Sequence, residues 1–229
     1  MEKTPPLSLS DAGWLHMEEP RNLMMISALL EFSSVLTRPE LLKVFQQRLL
    51  VHPRFRMRVD ESGPRPRWQP VPVDMDYHLR FERLDGPQQL TQRVDELVGL
   101  PLDRGRPLWQ FHLFEIDGSS ALVARLHHAL GDGVALMRVL MNLADQPEQG
   151  SVHPPGPRPR LGAWSAALLR LLKLVCTGPD PSTPLKGELG NAKCARTSRP
   201  FPLSELKETA HRQGISLNDL LMIYLSQVL

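Results

Sequence analysis

The sequence predicts an α/β fold, a two-layer mixed sheet with packed helices, confined to residues 1–146. Three observations carry this. Short apolar runs with strand character alternate with segments whose large apolar residues recur at helical spacing. An Asp117-Gly118 pair joins two of the strand-like runs as a hairpin. Ten of the 22 prolines fall between Pro147 and Pro202, where they end the folded unit and open a linker. The expected organisation is therefore a domain over 1–146, a Pro-rich linker over 147–202, and the start of a further unit over 203–229.

The elements follow in order. Leu23 to Phe32 (LMMISALLEF) is a nearly continuous apolar run between Pro20 and Ser33-Ser34, as a buried strand requires. Arg38 to Val51 places Leu41, Leu42, Phe45, Leu49 and Leu50 at helical spacing, with Pro39 at the helix start. Gln88 to Val98 is a second amphipathic helix, with Leu90, Val94, Leu97 and Val98 on one stripe. Leu108 to Ile116 is aromatic-rich and strand-like, and Ala121 to His127 runs back after the turn. After Gly133, VALMRVLMNLA is a helix with Val134, Met137, Leu140 and Met141 on one face. Inside the linker, 161–175 (LGAWSAALLRLLKLV) is an apolar helix. It is too short to span a bilayer, and it suits packing on the protein or lying at a membrane interface.

Composition excludes several classes. The chain has 229 residues with 41% apolar, enough for a sizeable core. Lys plus Arg is 27 against 25 for Asp plus Glu, a net charge of +2 that points away from nucleic acid. Two cysteines, Cys176 and Cys194, build neither a disulfide framework nor a four-cysteine zinc site. No apolar run reaches the roughly 20 residues of a transmembrane helix. The N-terminus lacks a basic start followed by an apolar stretch, so no secretory signal is expected. The expected setting is reducing and cytoplasmic.

The chemistry is concentrated in RLHHALGDG, Arg125 to Gly133, where a strand gives way to a helix. Side chains alternate along a strand. Leu122, Ala124, Leu126 and His128 share one parity, and Val123, Arg125 and His127 the other. The histidines should thus point in opposite directions, which disfavours a shared metal despite the ligand-type residues in HHxxxD. Gly131 and Gly133 allow a sharp turn and close approach of a ligand. A histidine held there, with an ordinary pKa of about 6.5, suits general-base work.

HHALGDG resembles the HHxxxDG motif of the CoA-dependent acyltransferase-like superfamily, named for chloramphenicol acetyltransferase. Six other stretches narrow the resemblance to the bacterial wax ester synthase/diacylglycerol acyltransferase family. They are LSLSDAGWLHMEEPRNLMMISALLEF (7–32), HPRFRMRV (52–59), PRWQPVPVDMDYHLR (66–80), PLDRGRPLWQFHLFE (101–115), and TPLKGELG (183–190) with SLNDLLM (216–222). They run in family order along nearly the whole chain.

The resemblance implies an O-acyltransferase that moves a fatty acyl group from acyl-CoA to a long-chain alcohol or diacylglycerol. His128 would be the general base and His127 its structural neighbour. Asp132 would orient the turn by pairing with an arginine, with Arg56 the candidate by position. Gly133 completes the motif. Acyl-CoA would be a co-substrate, with no cofactor and no metal. Pro107, Leu108 and Trp109 would build the wall beside the motif, and Asn218 would cap the helix that follows it.

Family members are about twice as long, with two similar domains and the site between them. On that pattern 203–229 is the truncated start of the second domain, and a partner chain or dimer would complete the tunnel. Two lipid-like substrates also suggest peripheral contact with the inner membrane or lipid inclusions. The alternatives are an inactive fragment that binds acyl-CoA or a lipid surface, and a condensation-type enzyme using carrier-bound acyl groups. Lys186 stands where the family has asparagine in TPLN.

Overall fold

In the computed structural model, residues 5–145, 187 and 190–228 can be described. The chain divides into two compact units, Met1–Glu148 with Leu189–Arg196, and Gln149–Glu188 with Thr197–Leu229. The expected helix at 161–175 lies outside the described residues. In the first unit residues 190–196 return to the domain body. There Lys193 Nζ donates to the Arg21 carbonyl (2.7 Å), and the Ala195 N–H donates to Asp95 Oδ1 (2.7 Å).

The elements of the first unit begin with helix α1 (Leu9–Met17), strand β1 (Met25–Phe32) and helix α2 (Arg38–Val44). Strands β2 (Met57–Asp60) and β3 (Arg67–Pro70), helix α3 (Met75–His78), strand β4 (Leu79–Leu84) and helix α4 (Pro87–Gly99) follow. Strands β5 (Trp109–Ile116) and β6 (Ser119–His127) and helix α5 (Gly133–Met141) complete it. The main sheet has the order β1-β6-β5-β4. Its first two pairings are antiparallel and β4–β5 is parallel, so the sheet is mixed as expected. β2 and β3 form a separate antiparallel pair.

Local chemistry explains the boundaries. Thr37 and Glu40 make a reciprocal capping box at the start of α2, with Pro39 in its first turn. A wider helical turn, Phe45–Leu49, continues it and buries Phe45 and Leu49 completely. Asp117 and Gly118 both take positive φ (46° and 78°), the backbone a two-residue hairpin between β5 and β6 needs. Ser8 caps α1 by accepting the Asp11 N–H at 3.1 Å.

Alternation along the two central strands sorts the core. Trp109, Phe111 and Leu113 of β5 join Leu122, Ala124 and Leu126 of β6 in one cluster with Phe45, Leu49, Leu136 and Leu140. Phe114, Ile116, Ala121 and Val123 face the other way, onto Leu90 and Leu97 of α4. Helices therefore cover both faces of the central strands.

The face assigned to α5 needs correction. Leu136 and Leu140 are its buried residues, while Val134 and Met137 are 64% and 52% exposed and Met141 is also exposed. Apart from Arg138 this helix has no polar side chain to mark its outer face. The phase of its apolar stripe is therefore set by which side meets the sheet, not by the sequence.

The second unit contains helices α6 (Leu203–Arg212) and α7 (Leu217–Val228). Gly214, at φ 65°, ends α6, and the Ile215 N–H returns to the Ala210 carbonyl at 3.1 Å. The cap of α7 is Ser216, not Asn218. The Asp219 N–H donates to Ser216 Oγ (3.1 Å), and Ser216 donates back to Asp219 Oδ2 (2.7 Å). The S-x-x-D spacing places both partners at the boundary, and Asn218 lies exposed one residue inside the helix. Among the described residues no helix is long and apolar enough to cross a membrane.

Candidate active site

The end of β6 and the start of α5 bring the motif to one point. β6 ends at His127, a single 3-10 turn covers His128–Leu130, and α5 begins at Gly133. The flanking backbone is tied to the segments that lead into two other strands. The His127 N–H donates to the Leu108 carbonyl just before β5 (3.0 Å), and the His128 N–H donates to the Met24 carbonyl just before β1 (2.9 Å). The segment Pro107-Leu108-Trp109 is buried beside the motif, and Trp109 Nε1–H donates to the Phe55 carbonyl at 2.9 Å.

The two histidines have different surroundings. His127 is 1% exposed. Its Nδ1 accepts the Ala129 N–H at 2.9 Å, so its ring proton sits on Nε2. That Nε2 lies 3.4 Å from Glu18 Oε1, close enough for a hydrogen bond but not aligned for one. His128 is half-buried and stacks on Trp14, with centroids 4.5 Å apart. Its Nδ1 is buried without a partner, which leaves Nε2 as the ring nitrogen available to a substrate. Burial and the neighbouring His127 push its pKa below the ordinary histidine value, and Asp132 pulls the other way. His128 is thereby favoured in the neutral form that a base requires.

The structure does not bring Arg56 to Asp132. Arg56 is exposed, and no ion pair joins it to Asp132 among the described residues. The Asp132 carboxylate instead caps α5, accepting the Ala135 N–H at 2.7 Å. The arginine that reaches the motif is Arg54. Its Nη1 donates to the carbonyls of Ala129 (3.4 Å) and Leu130 (2.9 Å), and its Nη2 pairs with Asp11 Oδ2 at 3.0 Å. Both arginines belong to a 3-10 turn, Pro53–Arg56. Gly131 is extended, not left-handed, and a Cβ there would lie 3.4 Å from the Ala135 Cβ. That is an ordinary contact, so the turn packs against α5 with room for a methyl group. Gly133 is the first residue of α5, and a Cβ there would meet only Ile26, at 3.9 Å.

Sequence reasoning missed Trp14, Glu18 and Arg104. Glu18 is the C-cap of α1 and its side chain is 9% exposed. Burial alone would raise its carboxyl pKa, but the His127 and Arg104 contacts outweigh that and hold it at about 2. Arg104 Nη2 donates to Glu18 Oε2 (3.0 Å) and to the Leu15 carbonyl (2.9 Å). A second buried arginine, Arg125 at 2% exposure, lies two residues before His127 with no carboxylate partner among the described residues. It donates to Gln110 Oε1 at 2.6 Å and to the Leu100 carbonyl. Among the described residues, no group of three His, Cys, Asp or Glu side chains could hold a metal ion.

A family model described as the wax ester synthase/diacylglycerol acyltransferase catalytic domain matches residues 7–178. The chain is 26% identical to wax ester synthase/diacylglycerol acyltransferase 4 of Arabidopsis thaliana, over 96% of this chain and 51% of that protein. It superposes on the wax ester synthase/diacylglycerol acyltransferase from Marinobacter aquaeolei VT8 with a TM-score of 0.66 and 25% identity. That match covers 93% of this chain and 57% of the other. A starter condensation domain of rhizomide synthetase matches with a TM-score of 0.54 at 17% identity, over 62% of this chain and 37% of that one, which is a likeness of fold alone. The chain spans about half the length of the curated relatives it matches.

Proposed function

The chain belongs to the wax ester synthase/diacylglycerol acyltransferase family, and on that premise we propose that it takes part in transfer of a fatty acyl group from acyl-CoA to a long-chain alcohol or diacylglycerol. The observation that carries this reading is His128, held at the end of β6 with Nε2 open and the imidazole biased towards its neutral form. Nε2 takes the hydroxyl proton as the alcohol oxygen attacks the thioester carbonyl. The carbon–sulfur bond then breaks, and the thiolate of CoA takes the proton back from His128. Atoms and charge balance with no cofactor and no metal.

Two features support lipid substrates. A mostly apolar pocket of about 460 Å³ is lined by Leu30, Phe32, Leu36, Val44, Leu122 and Met141, among others. Leu122 lies six residues from His128, about 20 Å at the rise of a strand. That is a span for a long alkyl chain and too far for a short one. The apolar side chains of Val134 and Met137 stand exposed just after the motif. A second protein surface, from a partner copy or another polypeptide, would close over them and complete the substrate tunnel. Contact with a lipid surface belongs to the same proposal.

The test is acyl transfer by the purified chain, with long-chain acyl-CoA and either a long-chain alcohol or diacylglycerol, following free CoA and ester. His128→Ala is expected to lower the rate by about 10²–10⁴-fold. A folded wild-type chain that releases CoA and forms ester in neither mixture overturns activity for this polypeptide alone. Binding of acyl-CoA without turnover would then favour a binding role.

A further inference from the structure

Glu18 and His128 are linked through a closed circuit of contacts. Glu18 Oε1 accepts the Met24 N–H at 3.3 Å, and the Met24 carbonyl accepts the His128 N–H at 2.9 Å. The same Oε1 faces His127 Nε2 at 3.4 Å, and His127 Nδ1 accepts the Ala129 N–H at 2.9 Å. The backbone N–H groups on both sides of the His128 peptide plane, its own and that of Ala129, are thus anchored through one carboxylate. Arg104 holds that carboxylate from the far side, at 3.0 Å, and is itself paired with Glu61 at 3.3 Å. One helical turn earlier, Trp14 stacks on the His128 ring.

We propose that Glu18 is a positioning residue: through His127 and Met24 it fixes the backbone and ring orientation of His128, with Arg104 holding Glu18 in place. This rests on His128 being the base. The chemistry requires such a partner. A buried imidazole whose Nδ1 accepts from the backbone carries its proton on Nε2, and that proton needs an acceptor. Glu18 supplies one as an anion. The contact is not aligned in the free protein, and catalytic hydrogen bonds commonly tighten only when substrate binds. A displaced base loses rate steeply, about 10²-fold for a 1 Å misplacement.

The experiment compares the wild-type chain with Glu18→Gln, which keeps an acceptor but not the charge, and Glu18→Ala, which keeps neither. Imidazole nitrogen NMR reads the tautomer of each histidine, and steady-state kinetics read kcat and KM. In the wild type, His127 should carry its proton on Nε2. Glu18→Ala should shift the ring resonances of both His127 and His128 and lower kcat by about 10²-fold, with KM for acyl-CoA within about twofold. Glu18→Gln should recover part of both signals. If Glu18→Ala does not fold, Glu18→Gln against the wild type decides the point: unchanged resonances overturn the proposal. A wild-type His127 protonated on Nδ1 also overturns it. The expected ring shifts in Glu18→Ala, in a protein whose wild type transfers no acyl group, support the positioning role and count against the activity.

Discussion

The imidazole of His128 lies against the indole of Trp14, with ring planes 22° apart and centroids 4.5 Å apart. The aromatic side chain that shapes the candidate base therefore comes from the first helix of the chain. Trp14 contributes to the burial that holds the His128 pKa down.

Removing that cover should raise the pKa. In Trp14→Ala, water reaches the imidazole and its pKa returns towards the ordinary value of about 6.5. The neutral fraction at a given acidic pH falls, so the acid limb of activity moves to higher pH. An NMR titration of the His128 ring in wild type and Trp14→Ala checks this without an activity assay. A midpoint that stays fixed or moves down would show that Trp14 contributes no burial to the ring.

Arg54 and Arg56 should separate cleanly. Arg54 ties the Ala129 and Leu130 carbonyls to Asp11. Truncating it leaves those groups unpaired, at a cost of about 2 kcal/mol. Arg56 is exposed, and Arg56→Ala should change stability by no more than about 0.5 kcal/mol. Urea unfolding of the two variants is the measurement. Equal losses would be inconsistent with the contacts described for Arg54.

Asp132 acts as a helix cap, so Asp132→Asn should be nearly neutral while Asp132→Ala costs about 1 kcal/mol. Thermal unfolding distinguishes the two. If Asn were as damaging as Ala, the carboxylate charge would be what matters, as in a pairing with arginine.

Acid should destabilise the fold in two stages. Burial lowers His78 and His112 to about 4, and His78 is fully buried with Nδ1 bonded to the Trp109 carbonyl at 2.7 Å. Unfolded, these histidines bind protons from about pH 6.5 downward, so the unfolded state holds more protons between about 6.5 and 4. Stability falls as pH drops through that window, by up to about 3 kcal/mol for each histidine. Glu18, held at about 2, adds a second loss between its unfolded value of 4.5 and about 2. Urea midpoints across pH 7 to 3 follow both stages. A stability that stays flat from pH 7 to 5 would contradict the histidine assignment.

Much of the fold was legible because its signals are local. The β5–β6 hairpin announces itself through Asp117-Gly118, and β1 and α4 through runs of their own. β4 was not legible: LRFERL carries three charges, and its place at the sheet edge leaves Arg80, Phe81 and Arg83 exposed. α1 was missed because it buries only Asp11 and Leu15 and has no apolar stripe to recognise. Within the site, the HHxxxDG segment could be read because its chemistry sits in seven consecutive residues. Glu18 and Arg104 could not, since they lie 86 positions apart and meet only in the folded chain. Arg56 was chosen by its position in HPRFRMRV, but the 3-10 turn over Pro53–Arg56 brings Arg54 to the motif carbonyls and leaves Arg56 exposed.

Met25 faces His127 across the β1–β6 ladder. Bringing together segments roughly 100 residues apart costs about 4 kcal/mol of chain entropy before any ladder bond repays it. The β5–β6 hairpin closes over two residues and carries no such delay. The motif strand can therefore form early against β5, while the amino-terminal segment, although it leaves the ribosome first, docks late. Until it does, His128 lacks both its stacking partner and its backbone anchor. This long-range closure is also one that assembles the site, so fraying of β1 would take the support away from His128 while the hairpin stayed intact.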